Sequence, residues 1–108
     1  MAGDWAVPLA EALTLPVPPG QRSALAFAHG SLRVRLFAPQ RLDTQAPHGQ
    51  DEVYIVARGA GAFVRAGERV AVAPGTMLFV PAGMDHRFED FSDDFAAWVV
   101  FYGPEGGE

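Results

Sequence analysis

The sequence contains no cysteine and no lysine. The first absence removes disulfides, thiolate metal ligands and cysteine nucleophiles. The second removes Schiff-base chemistry on a side-chain amine. All eight basic residues are arginines, scattered along a chain of net charge -5, so no basic run marks a nucleic-acid footprint. Long apolar runs are also missing: nothing approaches the roughly 18–20 residues of a membrane helix. The opening MAGDWAVPLAEALTL lacks the basic and apolar segments of a secretory signal. The expectation is a soluble, cytoplasmic protein with neither nucleic acid nor membrane among its partners. Enough remains to build a core, since hydrophobic residues make up 49% of 108 positions. That excludes disorder, and a single domain of this length buries roughly 60–70% of its extended-chain surface.

Glycine and proline are plentiful and punctuate the chain. Residues 1–22 are mixed, and their PVPPG run can continue neither a helix nor a central strand. They read as an arm with one helical turn around Pro8–Leu13. From Ser23 the text changes to short strands. ALAFAHGSLRVRLFAP breaks at Gly30 and alternates apolar and polar residues from Leu32 to Phe37. EVYIVARG is a strand ending at Gly59; GAFVRAGERVAVAPG reads as a hairpin turning at Ala66–Gly67 and closed by Pro74–Gly75. TMLFVPAG, HRFEDF and FAAWVVFYGP complete the set. Seven to nine strands separated by Gly/Pro turns predict an all-β sandwich or barrel. Its expected extent is residues 23–103, followed by a tail at 104–108.

Two stretches carry the polar groups. In APHGQDEVYIV, residues 46–56, His48, Gln50 and Glu52 are spaced at i, i+2 and i+4. On a regular strand all three point to one side, either at a solvated strand end or converging on something. A buried glutamate without a partner costs several kcal/mol or becomes protonated, about the range known for such groups, and a cation with neutral imidazoles removes that problem. Asp51 falls on the opposite parity and reads as a surface or hairpin acid. The second stretch is PGTMLFVPAGMDHRFED, residues 74–90. Its Asp85, Glu89, Asp90, Asp93 and Asp94 read as a solvated loop, or less simply as an acidic lip that discourages anions. Arg87 is expected to face away from His86 and pair with a loop acid, and His29 reads as a strand-end residue.

The spacings of these stretches resemble the two motifs of the cupin superfamily. Gly75, Pro81, Gly83, His86 and Asp90 follow the second motif, with aspartate where asparagine is usual; His48, Glu52 and Gly59 follow the first from its middle onward. The resemblance implies a jelly-roll β-barrel in a small single-domain cupin. It also implies that His48, Glu52 and His86 bind one divalent metal ion: iron, manganese, zinc or nickel. The first histidine of the motif is replaced by Ala46, which cannot ligate. Gln50 or Gln45 can supply an amide oxygen in its place, or the site has decayed and binds no metal.

Tyr54 and Phe88, each two residues from an implied ligand, are the expected pocket-lining residues. A pocket walled mostly by aromatic and apolar groups suits a small apolar or aromatic molecule. Three functions follow as alternatives. One is a metal-dependent enzyme acting on a small organic substrate, dioxygenase- or isomerase-like. Another is a non-catalytic cupin that binds or senses a small ligand, with a partial or absent metal site. The third is a dimer-forming module with a vestigial cavity. Open sheet edges and an apolar arm predict a homodimer.

Overall fold

The structure, a computed structural model, describes residues 4–39 and 47–108. One helical turn, α1 (Leu9–Ala12), precedes eight strands: β1 (Ala24–His29), β2 (Leu32–Phe37), β3 (Asp51–Arg58), β4 (Gly61–Arg65), β5 (Glu68–Val72), β6 (Met77–Val80), β7 (His86–Glu89) and β8 (Ala96–Tyr102). They form two antiparallel sheets, one in the order β1-β2-β8-β3-β6 and one in the order β5-β4-β7. This is a jelly-roll barrel.

The turn chemistry explains where the strands stop. Between β4 and β5 the two loop residues Ala66 and Gly67 both have positive φ, 48° and 85°, the backbone of a tight hairpin turn whose twist matches the flanking strands. At the end of β3, Gly59 has φ 80°, and a Cβ there would lie 2.7 Å from the Cα of Phe95. Only glycine fits where the two sheets meet.

Strand parity builds the interior. On β3 the buried inward face is Glu52, Tyr54 and Val56, and the register carries that face across β8 as Phe101, Val99 and Ala97. Tyr54, Phe63, Phe88 and Phe95 form the aromatic centre of the core with Phe37, Val80 and Val99 around them. A second cluster lies outside the barrel, where Ala12 of the N-terminal arm packs with Leu36 and Ala96. The alternation of β2 therefore has apolar residues covered on both sides, by the barrel and by the arm.

Candidate metal centre and cleft

Glu52 enters from β3 in the larger sheet, and His86 enters from the first position of β7 in the smaller one. Their parity turns both inward, leaving Glu52 1% and His86 2% exposed. His86 Nε2 lies 2.8 Å from Glu52 Oε1. His48 Nε2 lies 3.9 Å from Glu52 Oε2, its side chain 35% exposed. The donor atoms of the three residues all fall within 4.8 Å of one another. His48 packs edge-on against Phe101, ring centroids 5.0 Å apart.

Of His48, Gln50 and Glu52, expected on one strand face, only Glu52 lies within the strand. The chain bends before β3 begins at Asp51, because its polar groups find partners outside the ladder. Gly83 N–H donates to His48 O at 2.8 Å, and Gly106 N–H donates to Gly49 O. Gln50 Nε2 donates to Gly103 O at 2.8 Å, which turns its amide nitrogen toward the C-terminal segment. His48 still reaches Glu52, by way of the bend. Gln45 and Ala46 lie outside the described residues.

Asp51 is not a surface acid. It is 6% exposed, because the C-terminal residues fold over it and Glu108 N–H donates to its carboxylate at 3.0 Å. Ala82 N–H donates to the other oxygen at 2.9 Å. These two bonds, that of Glu108 first, hold its pKa below the ordinary 3.8.

His86 Nδ1 lies 2.9 Å from Met84 O, a carbonyl that can only accept. Nδ1 therefore carries a proton, and in the neutral form of the ring Nε2 presents its lone pair to Glu52. The Tyr54 hydroxyl lies 3.2 Å from the same nitrogen. Both oxygens of Glu52 are buried without a hydrogen-bond partner. A carboxylate in that position facing an imidazole lone pair repels it unless a proton or a cation stands between them. Two imidazoles and one carboxylate form a donor set suited to zinc or to a first-row ion such as iron, so the residues present fit a divalent metal.

Beside His48 opens a cleft of about 470 Å³. Phe37, Val99 and Phe101 give it an apolar side, and Arg22, Arg33 and Arg35 give it a basic one. The expectation of mostly aromatic and apolar walls is corrected accordingly. Tyr54 and Phe88 are fully buried in the core and stand edge to face with each other, centroids 5.1 Å apart; the cleft lining does not include them. The acids around His86 are not among the residues that line this cleft. Glu89 and Asp90 pair with Arg69 of β5, and Arg87 pairs with Glu89 at 2.6 Å. The cleft arginines went unread in the sequence, although the signal was there: Arg33 and Arg35 share their parity on β2 with Phe37, a core residue.

Fold and site together define a small jelly-roll barrel with a two-histidine, one-carboxylate cluster beside an open cleft. The family model described as Cupin domain matches residues 33–102. The chain belongs to the cupin family. It is 46% identical over 63 residues to an uncharacterized protein of Streptomyces coelicolor, a match covering 58% of this chain and 60% of that relative. Among solved structures it resembles a Cupin 2 conserved barrel domain protein of Salinispora arenicola CNS-205, with a TM-score of 0.69 at 17% identity, covering 91% of this chain and 87% of that one. It also resembles a protein of Ralstonia eutropha JMP134 assigned provisionally as a mannose-6-phosphate isomerase, with a TM-score of 0.67 at 20% identity, covering 84% of this chain and 93% of that one.

Proposed function

We propose that this cupin domain binds a divalent metal through His48, Glu52 and His86, and that it binds or converts a small organic molecule in the adjoining cleft. The observation that carries the reading is the buried Glu52 carboxylate, without a hydrogen bond and within reach of two imidazoles. Once bound, the metal supplies Lewis acidity and open coordination positions, which serve dioxygenase- or isomerase-type chemistry. The chain's own residues do the positioning. Met84 O holds the tautomer of His86, Phe101 holds the plane of His48, and the Tyr54–Phe63–Phe88 group keeps water from the inner side of Glu52. The provisional assignment of the Ralstonia neighbour is compatible with isomerisation but rests on fold alone.

Elemental analysis of protein purified without chelator tests this reading, alongside Glu52→Gln and His86→Ala. The expected result is about one metal ion per chain in the parent protein, the stoichiometry of a single donor set, and loss in both variants. A parent protein that neither carries nor takes up iron, manganese, zinc or nickel sinks it.

The non-catalytic reading uses the same residues and is favoured by one observation. Most charged groups lining the cleft are arginines, which bind anions and do not exchange protons at neutral pH. A homodimer belongs to either reading, through the outward residues Ile55, Val70, Met77 and Phe79, all exposed. β6 is one edge of the larger sheet and β5 one edge of the smaller, so this apolar patch adjoins unpaired backbone.

A further inference from the structure

We infer that Arg33 and Arg35 of β2, with Arg22 at the rim, form an oxyanion-binding subsite, so that the ligand of this cleft is a small organic acid or phosphate ester held by its anionic end. The placement follows from register. Arg33 pairs with Phe101 of β8, which pairs with Glu52 of β3; Arg35 pairs with Val99, which pairs with Tyr54. The two guanidinium-bearing residues thus share the inward face of Glu52, two strands away from it. At about 4.8 Å per strand that separation is roughly 10 Å along the sheet, a span that a short organic anion bridges.

What surrounds these arginines leaves room for a ligand. Arg33 and Arg35 are half-buried, about 7 Å apart as i and i+2 residues of one strand. Their neighbours on the same face, Phe101 and Val99, are apolar. Among the described residues, no carboxylate forms an ion pair with Arg33 or Arg35. Two like charges side by side at a partly desolvated surface repel unless an anion joins them. Burial lowers the pKa of Arg35, consistent with a charge that lacks its counter-ion.

The guanidinium hydrogens give the direction of binding. Arg35 donates from Nε to Ser23 Oγ at 2.7 Å, and from Nη2 to Ser23 O and Gln21 Oε1. Its head is thereby held in place, with both hydrogens of Nη1 left over. Arg33 donates from Nη1 to Gly30 O at 2.7 Å and to Leu32 O at 2.9 Å, leaving the Nε–Nη2 edge, the fork that binds a carboxylate or phosphate in two places. Among the described residues every acceptor of these two groups is neutral, which leaves their positive charge for a ligand. Glu105 also lines the cleft, and Arg33 and Arg35 together outnumber it.

The inference rests on the cleft proposed above, and its test separates the subsite from the metal. Calorimetric titration at low ionic strength with inorganic phosphate and with malonate compares the parent protein, as purified and after chelator treatment, with Arg33→Gln, Arg35→Gln, Arg35→Lys and Glu52→Gln. Phosphate binding favoured over malonate assigns the phosphate-ester class, and the reverse assigns the organic acids. The expected result is saturable binding of at least one probe that survives chelation and Glu52→Gln. Each Arg→Gln change should weaken it at least about tenfold, the effect of losing charge-assisted bonds, and Arg35→Lys should lose less. Arg33→Gln guards against misfolding, because that side chain anchors only to its own turn. No saturable binding by the folded parent protein overturns the inference. So does binding that disappears on chelation and in Glu52→Gln yet persists in the arginine variants, which assigns the anion to the metal alone.

Discussion

Glu52 is the residue on which the site turns. Its carboxylate sits in the interior without a hydrogen bond, an arrangement that costs stability when empty and gains it when a cation arrives. Adding metal should therefore raise the melting temperature of the parent protein; at about 100 times Kd the linkage is about 2.7 kcal/mol. Glu52→Gln should abolish that rise while leaving the metal-free protein no less stable than the parent, since a buried charge is exchanged for a neutral amide. Thermal unfolding with and without added metal measures both. Asp51, one position earlier, is a structural acid. Asp51→Asn places an amide donor where two backbone N–H groups need acceptors, so its melting temperature should fall without loss of metal.

At the level of elements, the hairpin turn offers a gain. Ala66 occupies a left-handed conformation, φ 48°, that costs a residue with a Cβ but suits asparagine. Ala66→Asn should stabilise the protein by about 0.5–1 kcal/mol in denaturant unfolding, with no effect on metal content. Gly59→Ala should do the opposite, by about 2–4 kcal/mol, because the added Cβ meets the backbone at Phe95. Both positions were legible in the sequence as Gly-marked turns, and so were the eight strands, since a period of two and a turn residue are local properties. The spacing of His48, Glu52 and His86 was legible too. The path that brings His48 to Glu52 was not, because it depends on hydrogen bonds from Gly83 and Gly106, distant in sequence.

For the whole molecule, the edge strands matter most. Ile55 pairs with Met77, and Val53 with Phe79, across β3 and β6, and this places apolar side chains on the outer surface beside an open edge. Light scattering during size exclusion at micromolar concentration should give twice the chain mass. Met77→Glu, which puts a charge at a position 61% exposed in the single chain, should shift the protein toward monomer without unfolding it. A monomeric parent protein rules the homodimer out.

By itself the sequence determined the order of the strands, the turns between them, and the residue types available to a metal, because these follow from two-residue periodicity, backbone sterics and donor chemistry. Only the tertiary structure decided which side of each strand is the interior. On β2 the arm covers Leu36 from outside, so Arg33 and Arg35 face the cleft. At Asp51 the C-terminal residues bury an acid whose parity pointed to solvent. Parity says which side chains share a face; what that face meets is set by packing between segments far apart in the chain.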